Sequence, residues 1–417
     1  MGGNMDTGDT AWILTSSALV LFMTPGLALF YGGMVRGKNL LAMLMKNFAA
    51  MGVVTITWML VGYSLAFSGD VGGWGIVGNL DLFALGELGS GTKLGLGNAV
   101  HGLTIPDNAF MVFQMMFAII TPALIAGAVA ERMKFGAWIA FIAIWSIVVY
   151  APMAHWVWGG GFIASEIQAI DFAGGLVVHI NAGAAALALV LVLGRRIGWR
   201  QSPIRPGALP LTLIGAGILW FGWFGFNSGS ALASDGAAAN AFVTTQVAAG
   251  VAAMTWIIME HFVSGKPTTL GFASGAVAGL VAVTPAAGFI SPIWALVIGV
   301  AAGVFCYSAL QLKFKFNFDD SLDVVAVHLV GGIVGALLLG LFADAAIGGT
   351  DGLFFGNSEQ FARQLASVAV AFAYSFIVSY ALAVILDRTI GIRASEEEER
   401  QGLDLALHEE QAWVFTE

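Results

Sequence analysis

Residues 171–183, DFAGGLVVHINAG, and 321–332, SLDVVAVHLVGG, decide how this chain folds. Each belongs to an apolar run long enough to cross a bilayer, and each carries one histidine, His179 or His328, in its middle. An ionisable side chain at bilayer depth is costly unless it lines a cavity or meets a partner. Two of them make a polar pathway the leading reading, with a hydrogen bond to a neighbouring helix as the alternative. The stretches also match one another. Val178-His179-Ile180-Asn181-Ala182-Gly183 aligns with Val327-His328-Leu329-Val330-Gly331-Gly332 at its histidine, aliphatic and small positions.

Composition agrees with a membrane. Of 417 residues 58% are hydrophobic and 10% charged, against roughly a quarter charged in soluble proteins. Apolar windows of about 20 residues predict an all-α polytopic protein with eleven spans, near residues 11–34, 41–68, 109–131, 136–158, 172–194, 208–231, 239–262, 269–284, 291–312, 324–343 and 362–387. Fifteen Lys and Arg residues then fall on one side and only Lys93 and Arg363 on the other, which places the N-terminus outside and the tail in the cytoplasm. Missing one span would collapse that asymmetry. The organisation expected is an external N-terminus, 1–10, a transmembrane domain, 11–388, and a cytoplasmic tail, 389–417. Much of the net charge of −9 comes from the tail after Ser395 and says little about a substrate.

The histidine stretches fall in the fifth span of successive sets of five. An odd number of spans turns the second set upside down, so the expectation is two inverted five-helix repeats plus a final helix, with the special site near the midplane. His179 lies eight residues, about 12 Å of helical rise, inside Asp171, and His328 lies five residues, about 8 Å, inside Asp323 at the opposite face.

Other classes are excluded or unsupported. The sequence has no phosphate loop, HExxH pattern or nucleophile elbow in a plausible aqueous location, so neither an enzyme nor a metal or cofactor site is expected. No nucleic-acid partner is implied. Cys306 is the single cysteine, inside an apolar run, and reads as packing. Nothing before Ala11 resembles a signal peptide, and Met1–Asn4 are set aside. The Gly-rich loop from Gly69 to Asp107 reads as an external cover, and the 55 glycines as close helix packing. His101, His155, His261 and His408 fall in loops or at span ends, where surface roles suffice.

Five motifs, FQMMFAIITPALIAGAVAERMKF (113–135), APMAHWVWGGGF (151–162), DFAGGLVVHINAG (171–183), WFGWFGFNSGSAL (220–232) and DDSLDVVAVHLVGG (319–332), resemble signatures of the ammonium transporter family, Amt, related to Mep and Rh proteins. The likeness runs from MTPGLALFYGGMVRGKN (23–39) to GLDLALHEEQAW (402–413). It implies an eleven-helix protomer with its own pore, a homotrimer in the cytoplasmic membrane, and ammonium or ammonia, with methylammonium as an analogue, as the transported species.

Carried over by resemblance, Trp158, Ser230 and Asp171 correspond to the external recruitment site, Phe117 and Phe226 to the gate, and His179 and His328 to a proton relay. Phe226 and Ser230 are four apart and share a helix face. Each has a plainer reading: Trp158 as an interfacial anchor, Phe113 and Phe117 as core packing, and Asp171 as a helix cap with electrostatic support. Phe113, Asp320 and Asp323 are assigned to the pore exit or to structure, and Asp319, Asp320 and Asp323 are expected to cap the tenth helix. In the tail, Gly402, Asp404, His408, Glu409 and Trp413 resemble a regulatory segment near which a PII signal-transduction protein plugs the pore. Glu409 stands where glycine is usual and Trp413 where tyrosine is usual, and a residue with a β-carbon opposes a tight turn at 409.

An ammonium ion is drawn to aromatic faces and to oxygen acceptors. Moving its charge through an apolar channel is expensive, and a filter on charge alone would admit potassium. Deprotonation removes both difficulties, with the imidazoles relaying the proton. The favoured expectation is net electrogenic transport. The rivals are an Rh-type gas channel, an ammonium sensor and a proton-coupled carrier of a larger solute. The short tail leaves no room for an output domain, and the expected broken helix pair of a carrier is not evident.

Overall fold

A computed structural model describes residues 5–86, 88 and 103–413, so Lys93, His101 and Met1–Asn4 lie outside the described residues. The long helices are α1 (Thr7–Met34), α2 (Gly37–Phe67), α3 (Asp107–Ile125), α4 (Phe135–Ile167), α5 (Gly175–Leu193), α6 (Leu209–Gly229), α7 (Gly236–Ser264), α9 (Pro292–Lys315), α10 (Val325–Phe342) and α11 (Ser358–Ile390). These ten are long and apolar enough to cross a membrane, and between α7 and α9 lies the shorter apolar helix α8 (Thr269–Val283). Among the described residues the chain is helical with no β-strand, only two isolated bridges, Asp70 to Gly78 and Met133 to Arg393.

Starts follow local capping chemistry. The carboxylates of Asp6 and Asp235 and the hydroxyl of Thr268 accept from the free N–H groups of Asp9, Ala238 and Gly271 at α1, α7 and α8. The centre is formed by α3 and α5, which are almost wholly enclosed. The α2, α7, α9 and α11 helices turn apolar faces outward through residues such as Ile56, Ile258, Phe305 and Ile377. A face of that kind is stable only against hydrocarbon or another apolar surface.

The two histidine helices begin in the same unusual way. α5 opens with a π-helical turn, Gly175–Ile180, before its regular part Asn181–Leu193, and α10 with another, Val325–Val330, before Gly331–Phe342. Both histidines sit inside these turns. The helices cross through the glycines that end each motif. A Cβ on Gly183 would lie 2.5 Å from the Leu329 nitrogen, and one on Gly332 would lie 3.0 Å from Ile180 Cγ1. Gly183 aligns with Gly332 and Ile180 with Leu329, so the contact is reciprocal.

At the basic end the connections are stitched by buried ion pairs. Asp319 accepts from the Arg196 backbone nitrogen at 2.8 Å, Nε at 2.9 Å and Nη2 at 2.8 Å. Glu131 accepts from the Arg36 backbone nitrogen at 2.7 Å and Nε at 2.9 Å, with Arg196 Nη1 at 3.4 Å. Arg132 donates to Asp319 O and to Ser321 Oγ, both at 2.5 Å. Burial raises the carboxyl pKa of Asp319 and Glu131, but the guanidinium partners together outweigh it and hold both below their ordinary values.

The tail folds onto this end as α12 (Glu396–Gln401) and α13 (Leu403–His408). Ser395 and Glu398 form a capping box at the start of α12. Asp404 then caps α2, accepting from Leu41 N at 3.1 Å and Ala42 N at 2.8 Å, while Glu399 accepts from Ile197 N at 2.6 Å. Gly402, at φ +108, packs against Lys38, which donates to the carbonyls of Glu399 and Arg400. Glu409 does form the turn expected to resist it. It closes α13 at φ 56, its N–H bonded to Leu405 O, so one strained residue substitutes for glycine. The His408 ring meets Phe135 edge-on at 5.2 Å, and Trp413 is half exposed beside Gly37.

Candidate functional site

Two pockets approach the histidine pair from opposite ends. One is a cup lined by Phe110, Phe113, Phe117, Trp158, Asp171 and Ser230, among others. The other, lined by Tyr31, Glu260, Ser274, Asp323, Val327 and His328, runs in from the basic end. Between them the rings form an unbroken sequence. Centroid spacings are 5.9 Å from Trp158 to Phe117, 4.4 Å from Phe117 to Phe226, 6.1 Å from Phe226 to His179 and 5.4 Å from His179 to His328.

The imidazoles are 1% and 2% exposed, and their Nδ1 atoms lie 3.3 Å apart. A hydrogen bond between two ring nitrogens needs one donor and one acceptor, so two neutral rings in this contact require opposite tautomers. His179 Nε2 has no protein partner. The ring is instead fixed by stacking on Trp223 at 5.5 Å and 21°, and the Trp223 indole donates to Thr284 Oγ1 at 2.9 Å. Trp223 is a site residue that the sequence reading misses. Its signal is the spacing of Trp223, Phe226 and Ser230 at i, i+3 and i+7, one face of α6.

The cup is built by two loops and a helix end. Ser230, just past α6, donates its hydroxyl to Phe226 O at 2.8 Å, leaving the oxygen lone pairs free to accept. The Trp158 indole donates to Asp171 O at 2.9 Å, which holds the ring over the cup. Asp171 does not offer an uncommitted carboxylate. Its Oδ1 accepts from Gly174 N and Gly175 N at 2.9 and 2.7 Å, and its Oδ2 from Leu176 N and Val177 N at 2.7 and 3.3 Å. Burial lifts the Asp171 carboxyl above the ordinary range, and those four N–H groups pull it part of the way back. Gln114 also faces this cup, almost wholly buried, with no partner for Oε1.

Several expectations need correction. Phe113 lies at the cup, 4.9 Å from Phe117, and not at the opposite exit. Of the three aspartates before α10, only Asp320 caps it, with Oδ2 accepting from Val325 N at 2.7 Å. Asp319 pairs with Arg196, and Asp323, at φ 62, with Lys313 Nζ at 2.5 Å. Burial, with Asp323 second, pushes the Asp320 carboxyl up to about 6. His155 is not a surface residue. It is 1% exposed, with Nδ1 3.0 Å from Ala66 O and Nε2 3.1 Å from Asp70 Oδ1.

Among the described residues no group of His, Cys, Asp or Glu is arranged to hold a metal ion. The arrangement comprises an aromatic cup with a hydroxyl oxygen, two packed phenyl rings and two imidazoles in contact.

Residues 11–413 match the model of the Ammonium Transporter Family. A Mycobacterium tuberculosis protein named "Ammonium transporter" is 50% identical over 437 residues, covering 99% of this chain and 91% of its own length. The crystal structure of Candida albicans Mep2 superposes with a TM-score of 0.87 at 37% identity, covering 95% of this chain and 88% of that one. A solved "Sensor Amt Protein" has the same TM-score at 29% identity, covering 96% and 98%.

Proposed function

The chain belongs to the ammonium transporter family, and from that premise we propose that it takes up ammonium across the cytoplasmic membrane by separating ammonia from its proton. Ammonium is held at the Trp158 cup by the indole face and the Ser230 oxygen and is deprotonated there. Ammonia passes Phe117 and Phe226, while the proton moves through His179 and His328. Net transfer is electrogenic.

The observation that carries this reading is the imidazole pair, Nδ1 to Nδ1 at 3.3 Å, enclosed behind a phenyl gate whose rings are 4.4 Å apart. An ion passing the phenyl gate would leave its water between apolar rings, whereas a neutral molecule meets a much lower barrier there. Two imidazoles sharing one proton accept and release it as a unit.

The placement in the membrane belongs to the same proposal. α8, with the turns after it, is the eighth span and brings the total to eleven, which puts the Trp158 cup outside and the Arg and Lys cluster in the cytoplasm. The reciprocal Gly183 and Gly332 crossing supports inverted repeats meeting at the site. The chain acts as a homotrimer through its exposed apolar faces. The tail, 389–417, is a regulatory element and a place for a PII protein to bind.

Purified protein in liposomes tests the mechanism: an ammonium jump should give inward current and a matching internal pH change. Internal alkalinisation without current would convert the reading to an Rh-type gas channel. Ammonium binding with neither flux nor current would favour a sensor, a reading motivated by the likeness to the Sensor Amt Protein.

A further inference from the structure

The last helix stands outside the repeats, yet it carries polar groups toward the site at regular intervals. Gln360, Gln364, Ser367, Ser375 and Ser379 are all buried. Ser375 donates to Asn181 O at 2.7 Å, two residues after His179, and Ser379 accepts from the Trp145 indole at 2.9 Å. The strongest of these contacts is made by Gln364. Its Oε1 accepts from Ile170 N at 2.9 Å and its Nε2 donates to Ile170 O at 2.9 Å, so one side-chain amide grips both polar groups of a single residue. The same Nε2 lies 3.3 Å from Ala336 O in α10, eight residues beyond His328. Gln360 orders the amide from behind, its Nε2 3.2 Å from Gln364 Oε1 and 3.5 Å from Gln168 O.

Ile170 precedes Asp171, whose carbonyl receives the Trp158 indole and whose carboxylate organises the start of α5. The path from Gln364 to the aromatic face is thus two residues of backbone and one hydrogen bond. We infer that Gln364 is a positioning residue for the external cation site, setting the pose of Trp158 through the Ile170–Asp171 segment; this rests on the recruitment reading of Trp158. The segment has no regular structure of its own. Without the clamp it loses two buried hydrogen bonds and leaves Ile170 N–H and C=O unpaired, so it must move to satisfy them.

A positioning role predicts a selective defect. Gln364→Leu should raise the ammonium concentration for half-maximal current by about tenfold, the loss of a misplaced cation–π contact, while maximal current stays near wild type. Gln364→Glu keeps the shape and, when protonated, one donor and one acceptor. Relative to wild type at the same pH it should be near normal in acid and approach Gln364→Leu as pH rises. Gln360→Leu, which leaves the clamp itself, should shift half-saturation in the same direction by less, and it keeps the inference testable should the Gln364 variants fail to assemble.

Trp158→Leu is measured in parallel. If it raises half-saturation while assembled Gln364→Leu does not, or if Gln364→Leu lowers maximal current alone, the inference is overturned. If Gln360→Leu is the only assembled clamp variant and shows wild-type half-saturation, that also overturns it. If Trp158→Leu itself leaves half-saturation unchanged, the recruitment reading fails, and the positioning role fails with it.

Discussion

The two histidine helices start alike and are anchored in opposite ways. α5 and α10 each open with a π-helical turn, and each has an aspartate at its entrance, Asp171 or Asp320, accepting from backbone N–H groups. Around Asp171 the neighbours are Trp158, Phe172 and the aromatic cup, and its carboxylate is satisfied by backbone alone. Around Asp320 lie Asp319, Asp323, Lys313, Arg132 and Arg196, tied in ion pairs that also secure the tail's neighbours. On the recruitment reading proposed for Trp158, the first anchor leaves a cation nothing to compete with, while the second holds connecting loops in place. A fixed cation near Trp158 would repel the substrate. A guanidinium at the other end does no such harm.

The largest expected effect tests what the halves share. Replacing His179 and His328 together by apolar residues of similar bulk should abolish ammonium-driven current in protein that still assembles, since both partners of the 3.3 Å contact go at once. Wild-type current from the double variant would make the histidines structural. A single replacement leaves one imidazole unmatched and should alter selectivity, read as current under ammonium against potassium gradients.

Next comes the stitched end. Arg196→Ala leaves Asp319 and Glu131 buried without their shared partner, and breaking such a pair typically costs about 3–5 kcal/mol. Thermal unfolding in detergent should show a loss of that order, and the half-saturation concentration of whatever folds should stay the same. A shift of half-saturation with no loss of stability would blur the division between the ends.

Asp320 sharpens it further through pH. Its folded-state pKa of about 6 lies above its ordinary 3.8, so the folded protein binds the proton more tightly than the unfolded chain. Stability from this group is gained as pH falls through 6, and the ionised form at neutral pH costs about 3 kcal/mol. Wild type should therefore gain stability relative to Asp320→Asn between about pH 7 and 5. The Asp319 and Glu131 contributions are present above their ordinary carboxylate values and are lost only as pH falls toward their depressed folded values, so they do not mask this window. A parallel response of the two proteins would remove the argument.

The smallest effect is at the cup. Trp158→Leu should weaken apparent ammonium affinity by about 1–2 kcal/mol with little change at saturation. Equal weakening at every concentration would mean that the indole acts in passage and not in recruitment.

Legible in the sequence is whatever repeats along one helix or one motif. The spans, the paired histidines and the Phe226–Ser230 face all come from apolar length and helical spacing. The rest depends on partners far apart in sequence: His155 with Asp70 across 85 residues, or Arg196 with Asp319 across 123. The aspartates before α10 look like three caps because capping is local chemistry, but Asp319 is claimed by Arg196, 123 residues away, and Asp323 by Lys313 on the preceding helix. Gln360 and Gln364 escape notice although two glutamines four apart in an apolar span are themselves a sign of buried contacts.

A π-helical turn holds more residues than the α-helical turns that flank it. Each histidine helix therefore behaves as though one residue had been inserted near its start. Deleting a single residue from 175–178 or 325–327 would restore regular winding, scarcely change the hydropathy, and leave the flanking turns close to their present phase, because the wide turn is what absorbs the extra residue. What would go is the wide turn that sets each imidazole apart from a regular helical position. Local winding, as much as residue identity, places the paired imidazoles.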